Sequence, residues 1–185
     1  MNTLLWIILA VVAVLAFAII AMYNGLIRLK VRVDEAWSDI DVQLKRRYDL
    51  IPNLVETVKG YAAHEKNTLD AVIKARNQAM NAGTTLDKAQ AENALSQTLK
   101  SMFALAESYP NLKANENFLE LQRELTDTED KIQASRRFYN GNVRDFNTKL
   151  QVFPTNFMAG MLGFKAREFF GIEDAKERET VQVKF

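Results

Sequence analysis

From Val33 to Tyr61 the large apolar residues fall at Val33, Trp37, Ile40, Leu44, Ile51, Leu54, Val58 and Tyr61, in alternating steps of four and three. On an α-helix that spacing lines one face with side chains that can be buried only against other helices. Arg47 interrupts the seam, and a charge at such a position calls for a carboxylate from another helix. The helical pattern reaches back through Leu29 and Leu26 to an apolar run, Leu4 to Met22, that carries no charged residue.

Further along, Pro52 lacks an N–H and disfavours the α region at Ile51, so a kink is expected between Tyr48 and Ile51. Gly60 is a second weak point. The pattern resumes at Leu69, Val72 and Ile73 and stops at Asn81-Ala82-Gly83. A turn between Gly60 and Asn67 would make four long helices, and a continuous helix there would make three. The next helix is expected from about Thr85 to Glu107, capped by Thr85 or Asp87, with Leu95, Leu99, Met102 and Ala106 as its stripe. Ser108-Tyr109-Pro110-Asn111 ends it. The last long helix is expected from near Asn115 to Phe153, carrying Phe118, Leu121, Leu125, Ile132, Tyr139, Phe146 and Leu150. Thr128, Ser135 and Asn142 occupy its seam as register-setting polar positions. Short connections between long amphipathic helices predict an all-α fold, an up-and-down antiparallel bundle of three or four helices behind an N-terminal span.

The run Leu4 to Met22 covers about 19 positions, roughly 28 Å of helix, close to the thickness of a hydrocarbon core. Trp6 and Tyr23 sit near its ends, where interfacial aromatics belong. A cleaved signal peptide ending at Ala16-Phe17-Ala18 fits less well, because MNT holds no Lys or Arg and the apolar run continues past that site. Arg28, Lys30 and Arg32 follow the run and no basic residue precedes it, which predicts a cytoplasmic position for the rest of the chain. The expected organisation is an anchor over 1–25, a helical bundle over 26–153 and an aromatic, Met-rich segment with a tail over 154–185. Between Phe153 and Phe170 eight large apolar residues crowd together, and Phe157, Met158, Met161, Leu162, Phe164, Phe169 and Phe170 form the candidate interaction surface; the alternative is that the segment folds back to close the end of the bundle. The terminal alternation Val181, Val183, Phe185 suits an extended strand.

Composition removes most chemistry. The 24 Lys+Arg nearly balance 23 Asp+Glu, unlike the basic stripe of a nucleic-acid binder. With no cysteine and a single histidine, His64, thiolate nucleophiles, disulfides, Cys-based zinc sites and a lipoprotein anchor are excluded, and so is any catalysis needing two imidazoles. Asp34, Glu35, Asp39 and Asp41 split onto two rows of a helix, and no E-x-x-H completes a di-metal site, so a solvated acidic face is expected, with Asp41 set four before Lys45. Lys45-Arg46-Arg47 stands roughly 35 Å beyond the apolar run on a continuous helix, well outside a Debye length of about 8 Å. No phosphate-binding glycine loop is present. No metal, cofactor or catalytic residue is expected.

Three stretches carry a resemblance. WSDIDVQLKRRYDLIPNLVETVKGYAAHE after an apolar run, FNTKLQVFPTNFMAGMLGF, and the terminal V-x-V-x-F are similar to the LemA family of bacterial membrane proteins. The resemblance implies one transmembrane helix in the bacterial inner (plasma) membrane, a cytoplasmic helical bundle and no established activity. It also brings an association of one relative with magnetosome membranes, and family genes that often neighbour those of membrane proteases. Together with the residues, it points to a membrane-anchored scaffold or assembly protein without catalysis that forms homo-oligomers. The alternative is a regulatory adaptor docking on a membrane-protein partner such as a protease.

Overall fold

The computed structural model describes residues 2–171, and the alternating tail 181–185 lies outside them. Among the described residues all regular structure is helical: α1 Asn2–Lys59, α2 Lys66–Asn81, α3 Thr85–Ala106, α4 Pro110–Lys113, α5 Glu116–Gln151 and α6 Thr155–Met161. They form two compact units, one from residues 2–39 and 137–168, the other from 40–136 and 169–171. Helices α1 and α5 contribute to both, and no break falls at 25.

The second unit is a four-helix up-and-down bundle. Asp41 pairs with Lys88 and Arg47 with Glu92, so α1 and α3 ascend together. The short connections on either side of α2 reverse the chain twice. Along α5 the order is opposite: Phe118 meets Phe103, Glu129 meets Ser96 and Arg136 meets Asn93. The turn after Lys59 settles the number of long helices at four. At Gly60 the α1 ladder gives out, Ala62 turns inward and is buried, and Tyr61 swings to the exposed side, where Asn115 Nδ2 donates to its hydroxyl at 2.9 Å. Tyr61 therefore leaves the seam its spacing assigned to it.

The apolar stripes otherwise meet as expected. Ile40, Leu44, Ile51, Leu54 and Val58 of α1 are buried with Leu69 and Val72 of α2, Leu95, Leu99 and Met102 of α3, and Phe118, Leu125 and Ile132 of α5. Each such side chain withdrawn from water contributes about 1.5–3 kcal/mol before entropy is subtracted. Thr84, one residue earlier than expected, caps α3 by accepting from the Asp87 amide at 3.1 Å. Asn115 caps α5 by accepting from the Phe118 amide at 3.0 Å. Helix α1 runs through Pro52 without ending.

In the first unit, α1 is exposed from Thr3 to Ala21 and becomes buried from Leu26 onward. Tyr139, Val143 and Phe146 of α5 are buried there. Trp37 is half-buried rather than enclosed, and its ring meets the edge of Tyr139 at 5.3 Å. After α6 the chain turns back through Gly163, whose φ of +70° places it in the left-handed region. The Phe164 amide donates to the Ala159 carbonyl at 3.0 Å and the Gly163 amide to the Gly160 carbonyl at 3.3 Å, the paired bonds of a Schellman motif.

Candidate functional site

Two places collect the residues singled out in the sequence, one in each unit. In the second unit the seam charge Arg47 is enclosed, with 1% of its surface exposed, as is Glu92. Its guanidinium donates from Nη2 to the Glu92 carboxylate and, at 3.1 Å, to the Glu92 main-chain carbonyl. From Nη1 it donates to the Glu129 carboxylate and, at 3.0 Å, to Ser96 Oγ. Ser96 Oγ in turn donates to Glu129 at 3.2 Å, and the Tyr48 hydroxyl donates to the second oxygen of Glu92. The expected carboxylate from another helix is thus two carboxylates, one from α3 and one from α5.

Burial pushes the Tyr48 hydroxyl well above the ordinary tyrosine range, and its hydrogen bond to the Glu92 carboxylate adds to that. Burial lowers Arg136 from the ordinary arginine range, while Glu129 and Glu92 pull the other way. Arg136 donates to Asn93 at 3.1 Å and lies over the Phe170 ring, 4.6 Å from its centroid. Both carboxylates of the cluster accept from cationic and hydroxyl donors: Arg47 and Tyr48 on Glu92, Arg47 and Ser96 on Glu129. Such an arrangement ties α1, α3 and α5 together through one enclosed cation.

The sequence reading missed Glu92, Glu129, Tyr48 and Ser96. Glu92 could have been found, since it stands three before Leu95 and in step with the α3 stripe. The rest of the charged stretch is ordinary surface. Lys45 pairs with Asp49 at 2.7 Å and not with Asp41, Arg46 faces Glu124 and Asp127 at 3.6 Å, and His64 is exposed in the α1–α2 connection. Among the described residues no group of three or more His, Asp or Glu is placed to hold a metal ion.

The candidate interaction residues differ in exposure and are divided between the two units. Phe157 and Met161 are each 70% exposed and Leu162 47%, whereas Met158 and Phe164 are half-buried in the same unit. Phe164 packs edge-on against Tyr23 and Phe146, each at 6.4 Å. Phe169 and Phe170 belong to the other unit. Phe169 is half-buried and Phe170 is 1% exposed beneath Arg136, so Phe170 is core and not contact surface. Beyond Phe164 the segment is held by polar bonds: Arg167 donates to Asp34 at 2.7 Å, its amide and carbonyl both bond the Asn147 side chain, and the Tyr139 hydroxyl donates to the Glu168 carbonyl at 2.9 Å.

The LemA family model matches residues 36–185. The chain belongs to the LemA family. Protein LemA of Metamycoplasma hominis is 30% identical to it over 175 residues, covering 93% of this chain and 78% of that protein. Magnetosome protein MamQ 2 of Paramagnetospirillum magneticum is 22% identical, over 88% of this chain and 70% of its own length. Magnetosome protein MamQ of Magnetospirillum gryphiswaldense is 21% identical, over 87% and 70%. The family match takes in the Arg47 cluster and α6 of this LemA chain.

Proposed function

We propose that this LemA-family protein is a non-catalytic helical scaffold, anchored by residues 4–22 in the bacterial plasma membrane, with its bundle in the cytoplasm and self-associating there. The observation that carries the reading is the exposure of every residue of α1 from Thr3 to Ala21, Leu4 to Ile20 included, in a helix long and apolar enough to cross a bilayer. An uncovered apolar surface of that length is costly in water. Three further observations support it. The Arg47 cluster is a closed register device, the histidine is an exposed turn residue, and relatives carry the name of magnetosome proteins. Orientation rests on Arg28, Lys30 and Arg32.

Two measurements test it. Protease added to intact spheroplasts should leave the bundle whole, and digestion would reverse the orientation. Purified in detergent, the protein should run as a large defined oligomer. A monomer or dimer would replace the scaffold with an adaptor that docks on a membrane-protein partner.

A further inference from the structure

Helix α6 lies at the level where the apolar run of α1 ends. The unbroken exposure of α1 ends at the half-buried Met22, and Leu26 is the first enclosed residue. Trp37 stands beside Tyr139 on the oppositely directed α5, so Gln151, about 12 residues or roughly 18 Å further along α5, stops opposite about residue 25. Phe164 meets Tyr23, and Leu162, Tyr23 and Ile27 line one cleft whose rim carries Lys30 and Lys165.

The two sides of α6 differ. Thr155 and Ala159, one turn apart, are buried. Phe157 and Met161 keep the same step of four but lie two residues out of phase, about 200° around the helix, and each is 70% exposed. Phe153, in the turn just before α6, is 86% exposed. Helix α6 thus turns Thr155 and Ala159 inward and Phe157 and Met161 outward.

Charge decides what covers that face. Between Met22 and Val33, and between Phe146 and Ala166, there is no Asp or Glu, whereas Arg28, Lys30, Arg32, Lys149 and Lys165 all fall there. A second copy docked on this face would bring like charge against like charge, which disfavours association. Anionic headgroups above an apolar layer meet both features at once.

We infer that the outward face of α6 is a second membrane contact, with Phe153, Phe157, Met161 and Leu162 seated among the headgroups of an anionic bilayer beside the point where α1 leaves it. The inference rests on the anchor proposed above. It makes α6 and the end of the span two points of support, so that the first unit is held against the lipid surface instead of swinging on a single helix.

The chain has no cysteine, so single labels can be placed on the full-length protein. An environment-sensitive fluorophore is attached at Phe157→Cys, at Leu15→Cys in the apolar run, and at the exposed Asp49→Cys. Each protein is reconstituted in vesicles of phosphatidylcholine with phosphatidylglycerol, with and without lipids brominated along the acyl chain. The expected result is blue-shifted emission and loss of intensity from brominated lipid at positions 15 and 157, with no loss at 49. Replacing phosphatidylglycerol by phosphatidylcholine should move position 157 alone toward water-like emission, and no change there would overturn the headgroup assignment. Quenching at 15 with a water-exposed, iodide-quenched label at 157 would overturn the α6 contact and leave the anchor standing. A label at 157 that is shielded from iodide, indifferent to brominated lipid and self-quenched at high protein-to-lipid ratio would assign the face to a second copy and overturn the inference. Absence of quenching at 15 would remove the anchor reading, and the inference with it.

Discussion

The Nε of Arg76 donates to the main-chain carbonyl of Tyr48 at 2.8 Å. That carbonyl is the one whose helical donor would be the amide of residue 52, and residue 52 is proline. A side chain from α2 therefore closes the gap that Pro52 opens in α1, and the helix passes through at full length. Because the bond is charge-assisted, removing it by Arg76→Met is expected to cost about 1.5–3 kcal/mol. Pro52 is exposed, so Pro52→Ala restores an amide without a clash. In the double variant the loss from Arg76→Met should shrink to about 1 kcal/mol or less, a coupling that a double-mutant cycle on denaturant unfolding would read. Equal losses in the two backgrounds would show that Arg76 does not serve the Pro52 gap.

Arg47 is expected to be the most costly single charge to remove. Arg47→Met leaves Glu92 enclosed and Glu129 facing it without their shared cation, a situation that costs about 3–5 kcal/mol. Replacing the enclosed partners together, as Arg47→Met with Glu92→Leu, should recover a large part of that loss. Unfolding midpoints of the three proteins in detergent decide the matter. A pair variant worse than the single one would mean that the cluster adds net stability beyond its register role.

The Tyr48 and Tyr139 hydroxyls are both raised, each first by burial. A tyrosine whose folded pKa lies above the unfolded value of about 10 keeps its proton in the native state where the unfolded chain releases it. Its stabilising contribution is present in full below about pH 10 and is lost as pH rises beyond that. Part of the phenolate absorbance, that of Tyr48 and Tyr139, should therefore appear only as helicity is lost. Tyr48→Phe should flatten the alkaline fall in stability. Phenolate formation at Tyr48 that is complete before unfolding, read as the difference from Tyr48→Phe, would contradict its enclosed position.

How far the sequence reaches can be judged residue by residue. The seam of α1 and the stripe of α3 were legible because burial between helices imposes a step of three and four, and Ile40, Leu44, Leu95 and Met102 obey it. The need of Arg47 for a carboxylate was legible for the same reason. Glu129 and Arg76 were not, since each acquires its role from a residue far away in sequence, 82 and 28 positions off. The aromatic crowd from Phe153 to Phe170 was legible as unusual but not as divided. Composition makes Phe157 and Phe170 equivalent, and only the four-residue step of α6 and the cation at Arg136 separate the exposed ring from the enclosed one. The turn at Gly60 stayed open because a single glycine weakens a helix by only about 1 kcal/mol, less than tertiary packing decides.

Gly160 and Gly163 stand three residues apart and should respond to alanine in opposite directions. Gly160 lies inside α6 with open space where a Cβ would go. Alanine there removes only the conformational freedom that glycine retains in the unfolded chain, so Gly160→Ala should raise stability by about 0.5–1 kcal/mol. Gly163 also has room for a Cβ, but its φ of +70° is the left-handed conformation that ends α6. Alanine there sets its Cβ against the following carbonyl, at about 1–2 kcal/mol. The strain falls on the Schellman bonds that lead Phe164 to Tyr23 and Arg167 to Asp34. Gly163→Ala should thus lower the unfolding midpoint and speed amide exchange over residues 160–168, while Gly160→Ala raises the midpoint and slows exchange within α6. If both substitutions stabilise, the turn after α6 is not held by its left-handed glycine, and the chain must reach Phe164 by another backbone path.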